Sequence, residues 1–367
     1  MHNAYPLAPE HLRIERDMLP PFGASFFDYL HWEPSKKLAP NLRDKTNYVV
    51  HYRNLKFYLK HGLEIVKIHR VLSFSQRAWL KPWVDYCTAG RQNATSAYEV
   101  ELYKGLVCSV FSKTMENLRR RKNYRLIVDP KKLLRAVSSP HYETAQIINQ
   151  DLTLVQQAKK SLLLDKPIYA GFTILEVAKL HMFGFYYDYL MRKYGGPARC
   201  SLLYTDTDSF MLEIITGDLH ADMGADSELF DFSNFPPAHP QYSNVNARVV
   251  GKMKSETAQL HPLQFVGLRS KMYSLLVPGI DKAKMTAKGI KKSYVERKLK
   301  HQHYLDVLGN GEITTAQFCI IRSKCHNIET ARVKKVCLSA FDDKRYVLVD
   351  GVHTFAHGHF RINGCEH

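Results

Sequence analysis

Apolar side chains fall on a helical period over residues 168–194, where Ile174, Leu175, Ala178, Leu180, Met182, Phe183, Tyr186 and Leu190 mark one helix that Gly195-Gly196 ends. Directly after it, Ser201–Ile215 is dense in aromatic and branched residues on either side of a short polar interruption, Thr205–Asp208. That is the pattern of two strands joined by an acidic tip. Residues 76–125 read as two helices joined by a tight turn near Thr88–Gly90, the second with a basic end at Arg119–Lys122. Tyr48–Lys60 reads as a short extended piece leading into a helix that Gly62 closes, and a second short apolar run follows, Ile65–Leu72. Residues 1–45, broken by Pro6, Pro9, Pro20, Pro21, Pro34 and Pro40, predict an extended connecting segment, and the Gly, Pro, Asp, Ser and Asn of residues 217–246 predict a surface loop. Helices and strand pairs without an internal repeat predict a mixed α+β fold.

Charge adds a partner to this outline. The 367 residues carry 52 Lys plus Arg against 35 Asp plus Glu, a formal net charge of +17. A surface that positive steers and holds a polyanion by releasing its counterions. The excess is concentrated: between Lys252 and Lys300 the only acids are Glu256, Asp281 and Glu296, which marks a separate basic module. The seven cysteines show no C-x-x-C spacing and read as reduced thiols. No stretch approaches eighteen uncharged apolar residues, and Met1–Pro9 lacks the apolar core of a signal peptide. The expectation is an intracellular protein, nuclear or cytoplasmic, with neither signal peptide nor transmembrane segment.

The sharpest chemical feature is Tyr204-Thr205-Asp206-Thr207-Asp208-Ser209. Two carboxylates on alternate positions of a tight turn cannot move far apart, so they offer hard oxygen ligands suited to Mg²⁺. Phosphoryl transfer uses such sites, since two ions about 3.5 to 4 Å apart clamp the attacking and leaving oxygens. A polar turn capped by Asp and Thr is the other reading of the same six residues.

With its neighbours, the hexapeptide resembles the Y-x-D-T-D-S palm motif of family B DNA polymerases, and the chain is especially similar to the protein-primed enzymes of Polinton (Maverick) elements, related viruses and linear plasmids. The resemblance also rests on His2–Glu10, Tyr48–Leu55, Phe74–Trp79, Lys104–Asn117, Ile174-Leu175-Glu176, Lys271-Met272-Tyr273 and Phe341-Asp342-Asp343-Lys344-Arg345-Tyr346, and so spans almost the whole chain.

The resemblance implies a palm sheet with the acidic β-hairpin, helical fingers and a basic thumb. It divides the chain into a leading segment at 1–47, a palm-to-fingers connection at 48–75, fingers at 76–125, palm at 126–250 and thumb at 251–367. By the order of motifs in the family, the exonuclease region would precede His2 and is expected to be absent. Asp208 is implied as the main Mg²⁺ ligand, with Asp206 supporting the site, Thr205 and Thr207 shaping the turn, and Tyr204 either facing the primer end or packing beneath the hairpin.

Lys104, Ser109 and Phe111 fall in Lys104–Ser112, which resembles the fingers motif K-L-x-x-N-S-x-Y/F-G. An ammonium at 104 neutralises charge on a transferring phosphate. Arg91 is a candidate second clamp, or an exposed arginine of a polar turn. Phe111 is implied beneath the sugar, where a core aromatic is the alternative. Lys271 and Tyr273 match the K-x-Y element that holds a primer end, and alternation on a strand would place both on one face. Lys284, Lys288, Lys291 and Lys292 read as a surface gripping duplex backbone, or as a solvated basic face.

Three departures oppose this pattern. Cys108 stands where the family has asparagine, Ser112 where it has glycine, and no upstream segment matches the D-x-x-S/N-L-Y motif that supplies the other bridging aspartate; Asp17 and Asp28 lack its following residues. The implied function is template-directed DNA synthesis with Mg²⁺, primer-template DNA, deoxynucleoside triphosphates and a terminal priming protein as partners, and no membrane. The alternative is a catalytically silent remnant that only binds primed DNA. A basic protein with an accidental acidic turn also stays open.

Overall fold

The computed structural model describes residues 2–29, 33–34, 36–280, 283–324 and 326–362. The fold is mixed α+β, with small antiparallel sheets and several helices. It divides into two compact units, one of Met1–Val100, Leu175–Ala316 and Lys335–His367, the other of Glu101–Ile174 and Gln317–Lys334. Among the described residues, no helix is long and apolar enough to cross a membrane.

The first unit is organised around the part of the expected long helix that follows Ile174. The whole helix runs as Ile168–Phe183, continues through a π-helical segment Gly184–Leu190 and closes with Met191–Lys193. Gly195 at φ 73° and Gly196 at φ 108° then stop it, in a region that side chains with a Cβ rarely enter. The wider π turn brings consecutive aromatics inward, so Tyr186, Tyr187 and Leu190 are all buried. They meet Phe57 and Tyr58 of the helix Tyr52–Lys60, together with Leu7 and Ala8.

Residues 1–45 are more structured than their prolines suggest. Glu10–Arg13 pairs antiparallel with Lys36–Ala39, and Pro21–Tyr29 is helical, with Pro at its first position where no amide partner is needed. The expected loop at 217–246 also contains structure: a helix at Leu219–Ala225 and a strand, Phe230–Asp231, parallel to Met253–Lys254. Phe230, Phe232 and Phe235 are buried there in a cluster of their own, which outweighs the turn-forming residues around them.

The helical break expected near Thr88–Gly90 lies later in the chain, between helices Lys81–Gln92 and Ala97–Thr114. A capping box fixes it: the Glu99 backbone N–H donates to Ser96 Oγ at 3.2 Å, and the Glu99 carboxylate accepts from the Ser96 N–H at 3.3 Å. Nor does helix continue to Arg125, because Lys122–Ile127 is a strand.

That strand belongs to the second unit, where Leu152–Ala158 is the centre of a three-stranded antiparallel sheet flanked by Lys122–Ile127 and Tyr142–Asn149. Helix Pro130–Val137, started by Asp129 accepting from the Lys131 N–H at 2.8 Å, covers Ile127 and Val155 with Ala136. Within this unit, Gly171 approaches Met115 and Thr114 so closely that a Cβ on it would stand 2.4 Å from Met115 Cγ and 2.6 Å from Thr114 Oγ1. The run Ile65–Leu72, in the first unit, forms neither helix nor strand and is exposed.

Candidate functional site

The acidic hairpin is present as Cys200–Asp206 and Ser209–Ile214, with Asp206 opposite Ser209. Its turn is very tight. The Asp208 backbone N–H donates to Asp206 O at 2.7 Å, a bond spanning only Thr207, whose φ is 60°. This is a γ-turn with a β-branched residue in the left-handed region, a strained arrangement held by the pairing on both sides. Thr207 is thus the central residue of the turn.

A bulge in the first strand decides which way the side chains face. Leu202 pairs with Leu212, but Tyr204 pairs with Met211, leaving Leu203 as an extra residue. Leu202, Phe210, Leu212 and Ile214 therefore pack on the aromatic core, and the Phe210 ring meets Tyr5 edge-on at 5.6 Å. Without the extra residue, strict alternation would put Tyr204 and Asp206 on the same inward face as Leu202. With it, both face the sheet of Gln264–Arg269, Met272–Leu276 and Lys284–Ala287.

There the two sequence-distant motifs meet. The Lys271 backbone N–H donates to Tyr204 Oη at 2.9 Å, and Lys271 Nζ lies 3.4 Å from Asp206 Oδ2. The Tyr204 ring is 5.2 Å from that of Tyr273 and 6.1 Å from that of Phe265. Burial, with the Asp206 carboxylate adding to it, pushes the Tyr204 phenol up, so the hydroxyl stays neutral and accepts the amide. Tyr204 thus packs against Lys271 and Tyr273.

The placement of Lys271 corrects the expected strand alternation. Lys271 sits in the connection between strands at φ 58°, and only Tyr273 is on the strand. Both reach Tyr204 because a left-handed residue redirects the chain there. The Lys271 carbonyl accepts from the Lys288 N–H at 3.1 Å, so Lys288 is its neighbour across the sheet end. Lys291 and Lys292 follow Gly289 as the N-cap and first residue of the helix Lys292–Lys298, and all three lysines are exposed. Lys292 is paired with Glu296 at 3.6 Å, while Lys284 is paired with Glu256 at 3.3 Å.

Asp208 is exposed and, among the described residues, has no side-chain hydrogen bond or ion pair. Among those residues, no three His, Cys, Asp or Glu side chains converge as a metal-ligating group. The donor set at the tip is therefore two carboxylates. That fits a hydrated Mg²⁺, which commonly keeps several waters and takes one or two carboxylates.

The implied nucleotide-binding residues are distributed between the units. Arg91 is in the first, in the last turn of Lys81–Gln92, half-buried with its Nε out of solvent and lacking a hydrogen-bond partner among the described residues. Its carbonyl accepts from Arg248, a cation suited to the negative end of a helix. Lys104, Ser109 and Phe111 are in the second unit, on the helix Ala97–Thr114. Lys104 is exposed with Glu101 at 3.6 Å, Ser109 Oγ donates to Leu106 O at 2.8 Å, and Phe111 is half-buried. Ser109 also borders an open hollow of about 300 Å³ with Val110, Lys113, Thr114, Lys166 and Pro167. Cys108 and Ser112 are exposed on this helix, and Ser112 Oγ donates to Cys108 O at 2.9 Å.

Sequence reasoning missed Phe265 as the third ring of the Tyr204 cluster. The alternation Phe265-Val266-Gly267-Leu268 carries the only available signal, a strand with an aromatic on the face opposite Val266 and Leu268. Comparison with known proteins finds no matching family, no matching curated protein and no matching solved structure.

Proposed function

We propose that this chain carries out nucleotide addition as the palm, fingers and thumb portion of a family B DNA polymerase of the protein-primed type. The reaction is attack of a primer hydroxyl on a deoxynucleoside triphosphate, directed by a template strand, with release of pyrophosphate. One observation carries the reading: a hairpin bearing Asp206 and Asp208 meets Lys271 and Tyr273 of a separate sheet, with Lys271 Nζ 3.4 Å from Asp206. Carboxylates, an ammonium and an aromatic face within one small region are the groups needed for a cation, a phosphate and a sugar or base.

In this reading Asp208, with Asp206 beside it, holds Mg²⁺, which when bound neutralises charge that builds on the transferring phosphate. Lys271 contacts primer phosphate and Tyr273 packs against the terminal sugar or base. Lys288, Lys291 and Lys292 line the approach of duplex backbone. By the resemblance, Arg91 on the first unit and Lys104, Ser109 and Phe111 on the second are each nucleotide-binding residues. Primer-template DNA and deoxynucleoside triphosphates are the ligands, and a terminal priming protein is the further partner that this family would bring.

The test is Mg²⁺-dependent extension of a labelled primer by the 367-residue chain. Extension that disappears in Asp208→Ala is the expected result. A second reading, binding of primed DNA without synthesis, draws support from the two-carboxylate donor set among the described residues and from Cys108 and Ser112. It expects salt-dependent binding of primed DNA by the wild-type chain and no extended product at any Mg²⁺ concentration.

A further inference from the structure

We infer that Lys271 serves as a resident cation of the acidic hairpin, which a divalent ion displaces from Asp206 on binding, so that metal loading frees the Lys271 ammonium for phosphate. The inference deepens the proposed function and rests on its reading of Asp206 and Asp208 as cation ligands.

The two carboxylates at the tip are not equivalent. Asp208 is exposed and has no partner among the described residues, whereas Asp206 is half-buried with the Lys271 ammonium 3.4 Å from Oδ2. An incoming ion meets Asp208 unopposed. To add Asp206 to its shell it must take a carboxylate already engaged by a positive charge, and a divalent ion and an ammonium so close together repel one another. Asp206 therefore exchanges its partner when the ion arrives.

What makes this an exchange, and not merely a lost contact, is how Lys271 is anchored. Its N–H donates to Tyr204 Oη at 2.9 Å and its carbonyl accepts from the Lys288 N–H at 3.1 Å. Its φ of 58° fixes the direction in which the side chain leaves the backbone. Main-chain bonds on both sides hold the Cα while the flexible four-carbon stem swings free, and the released ammonium stays beside the hairpin. The Lys271 side chain is 58% exposed, which leaves its stem open to solvent for that motion. Tyr204, held at its ring by Tyr273 and Phe265, is a positioning residue for the exchange.

The experiment is titration of the whole chain with Mn²⁺, followed by the electron paramagnetic resonance signal of the free ion, without DNA or nucleotide. Wild type is compared with Asp208→Ala, Lys271→Met, Lys271→Asn and Lys271→Arg. Asn tolerates the left-handed backbone, so it removes the ammonium with little strain even where the Met variant folds poorly. Tight binding in wild type that is lost in Asp208→Ala is expected. Lys271→Met and Lys271→Asn should then bind Mn²⁺ about threefold to tenfold more tightly, as expected for removing one partly solvated charge, and Lys271→Arg should stay near wild type. Unchanged or weaker binding in both the Met and Asn variants, with the Asp208 dependence intact, overturns the exchange alone. Binding that ignores Asp208 in every variant overturns the cation-site reading itself.

Discussion

Tyr204 and Lys271, 67 residues apart, are joined by a 2.9 Å hydrogen bond in which the Lys271 backbone N–H donates to the Tyr204 hydroxyl. The bond ties the acidic hairpin to the sheet of the basic region at the position where an ammonium meets Asp206. It depends on two local irregularities, the extra residue Leu203 that turns Tyr204 outward and the left-handed Lys271 that offers its amide. Neither alone would bring the two motifs together.

Tyr204→Phe isolates that bond, since the ring contacts with Tyr273 and Phe265 remain. A neutral hydrogen bond contributes about 0.5 to 1.5 kcal/mol net, and the exposed Lys271 amide can turn to water, so a stability loss near the lower end is expected from urea denaturation. On the proposed function the larger effect is on primer extension, because displacement of a positioning contact by about 1 Å costs up to a hundredfold in rate. Normal extension by a folded Tyr204→Phe chain would remove Tyr204 from the machinery.

Gly171→Ala reverses the usual sign of a helix substitution. Replacing glycine inside a helix normally stabilises by about 1 kcal/mol. Here the new methyl would stand 2.4 Å from Met115 Cγ and 2.6 Å from the hydroxyl of buried Thr114, which itself donates to Phe111 O. Overpacking of this kind costs about 1 to 3 kcal/mol, so the variant should be less stable than wild type by thermal unfolding. A gain in stability would mean that the helix Ile168–Phe183 moves aside freely.

Much of the scaffold was legible because it is written in local pattern. The long helix from Ile168 is apolar enough to be recognised and its glycine stop is explicit, and the hairpin announces itself by branched residues around Thr205–Asp208. What escaped depends on single residues that break a pattern. A bulge at Leu203 has no composition signature, and Lys271 inside Arg269–Tyr273 looks like a strand residue until its φ is known. The cluster of Phe230, Phe232 and Phe235 was hidden by turn-forming neighbours, since burial is decided by tertiary partners such as Phe185 and Tyr189. The helix start at Ala97 was missed although Ser96-x-x-Glu99, a capping signal, marks it.

Arg345 ties the two chain ends of the first unit together. Its Nε donates to Thr354 Oγ1 at 2.6 Å and its Nη2 to Asn3 O at 3.0 Å, while the Ala356 N–H donates to Asn3 Oδ1 at 2.7 Å. Burial lowers the pKa of this guanidinium, with Asp342 opposing the shift. Arg345→Ala removes the shared donors from partly buried carbonyls, at a cost of about 1 to 3 kcal/mol. The expected readout beyond stability is faster hydrogen exchange at residues 3–8, with Arg345→Lys intermediate because a point ammonium cannot reproduce the fork. Uniform exchange in wild type and Arg345→Ala would show that other contacts hold that segment.

Acid sensitivity should begin near neutrality, earlier than carboxylate titration would produce it. His357 is 1% exposed with Nε2 3.0 Å from Asp343 O, and burial depresses its pKa below the ordinary 6.5. His301, between Ser274 Oγ and Gln264 Oε1, is shifted in the same direction by the same cause. For a group depressed in the folded state, the unfolded chain takes up the proton first. The stabilisation is therefore complete above about pH 6.5 and is lost as the pH falls from there through the folded value, at no more than about 1.4 kcal/mol per pH unit for each histidine. Urea midpoints measured from pH 7.5 down to 5.5 should decline. His357→Gln keeps a donor for the Asp343 carbonyl but cannot titrate, so its decline should be shallower. A slope identical to wild type in a folded His357→Gln chain would assign the acid sensitivity to other groups.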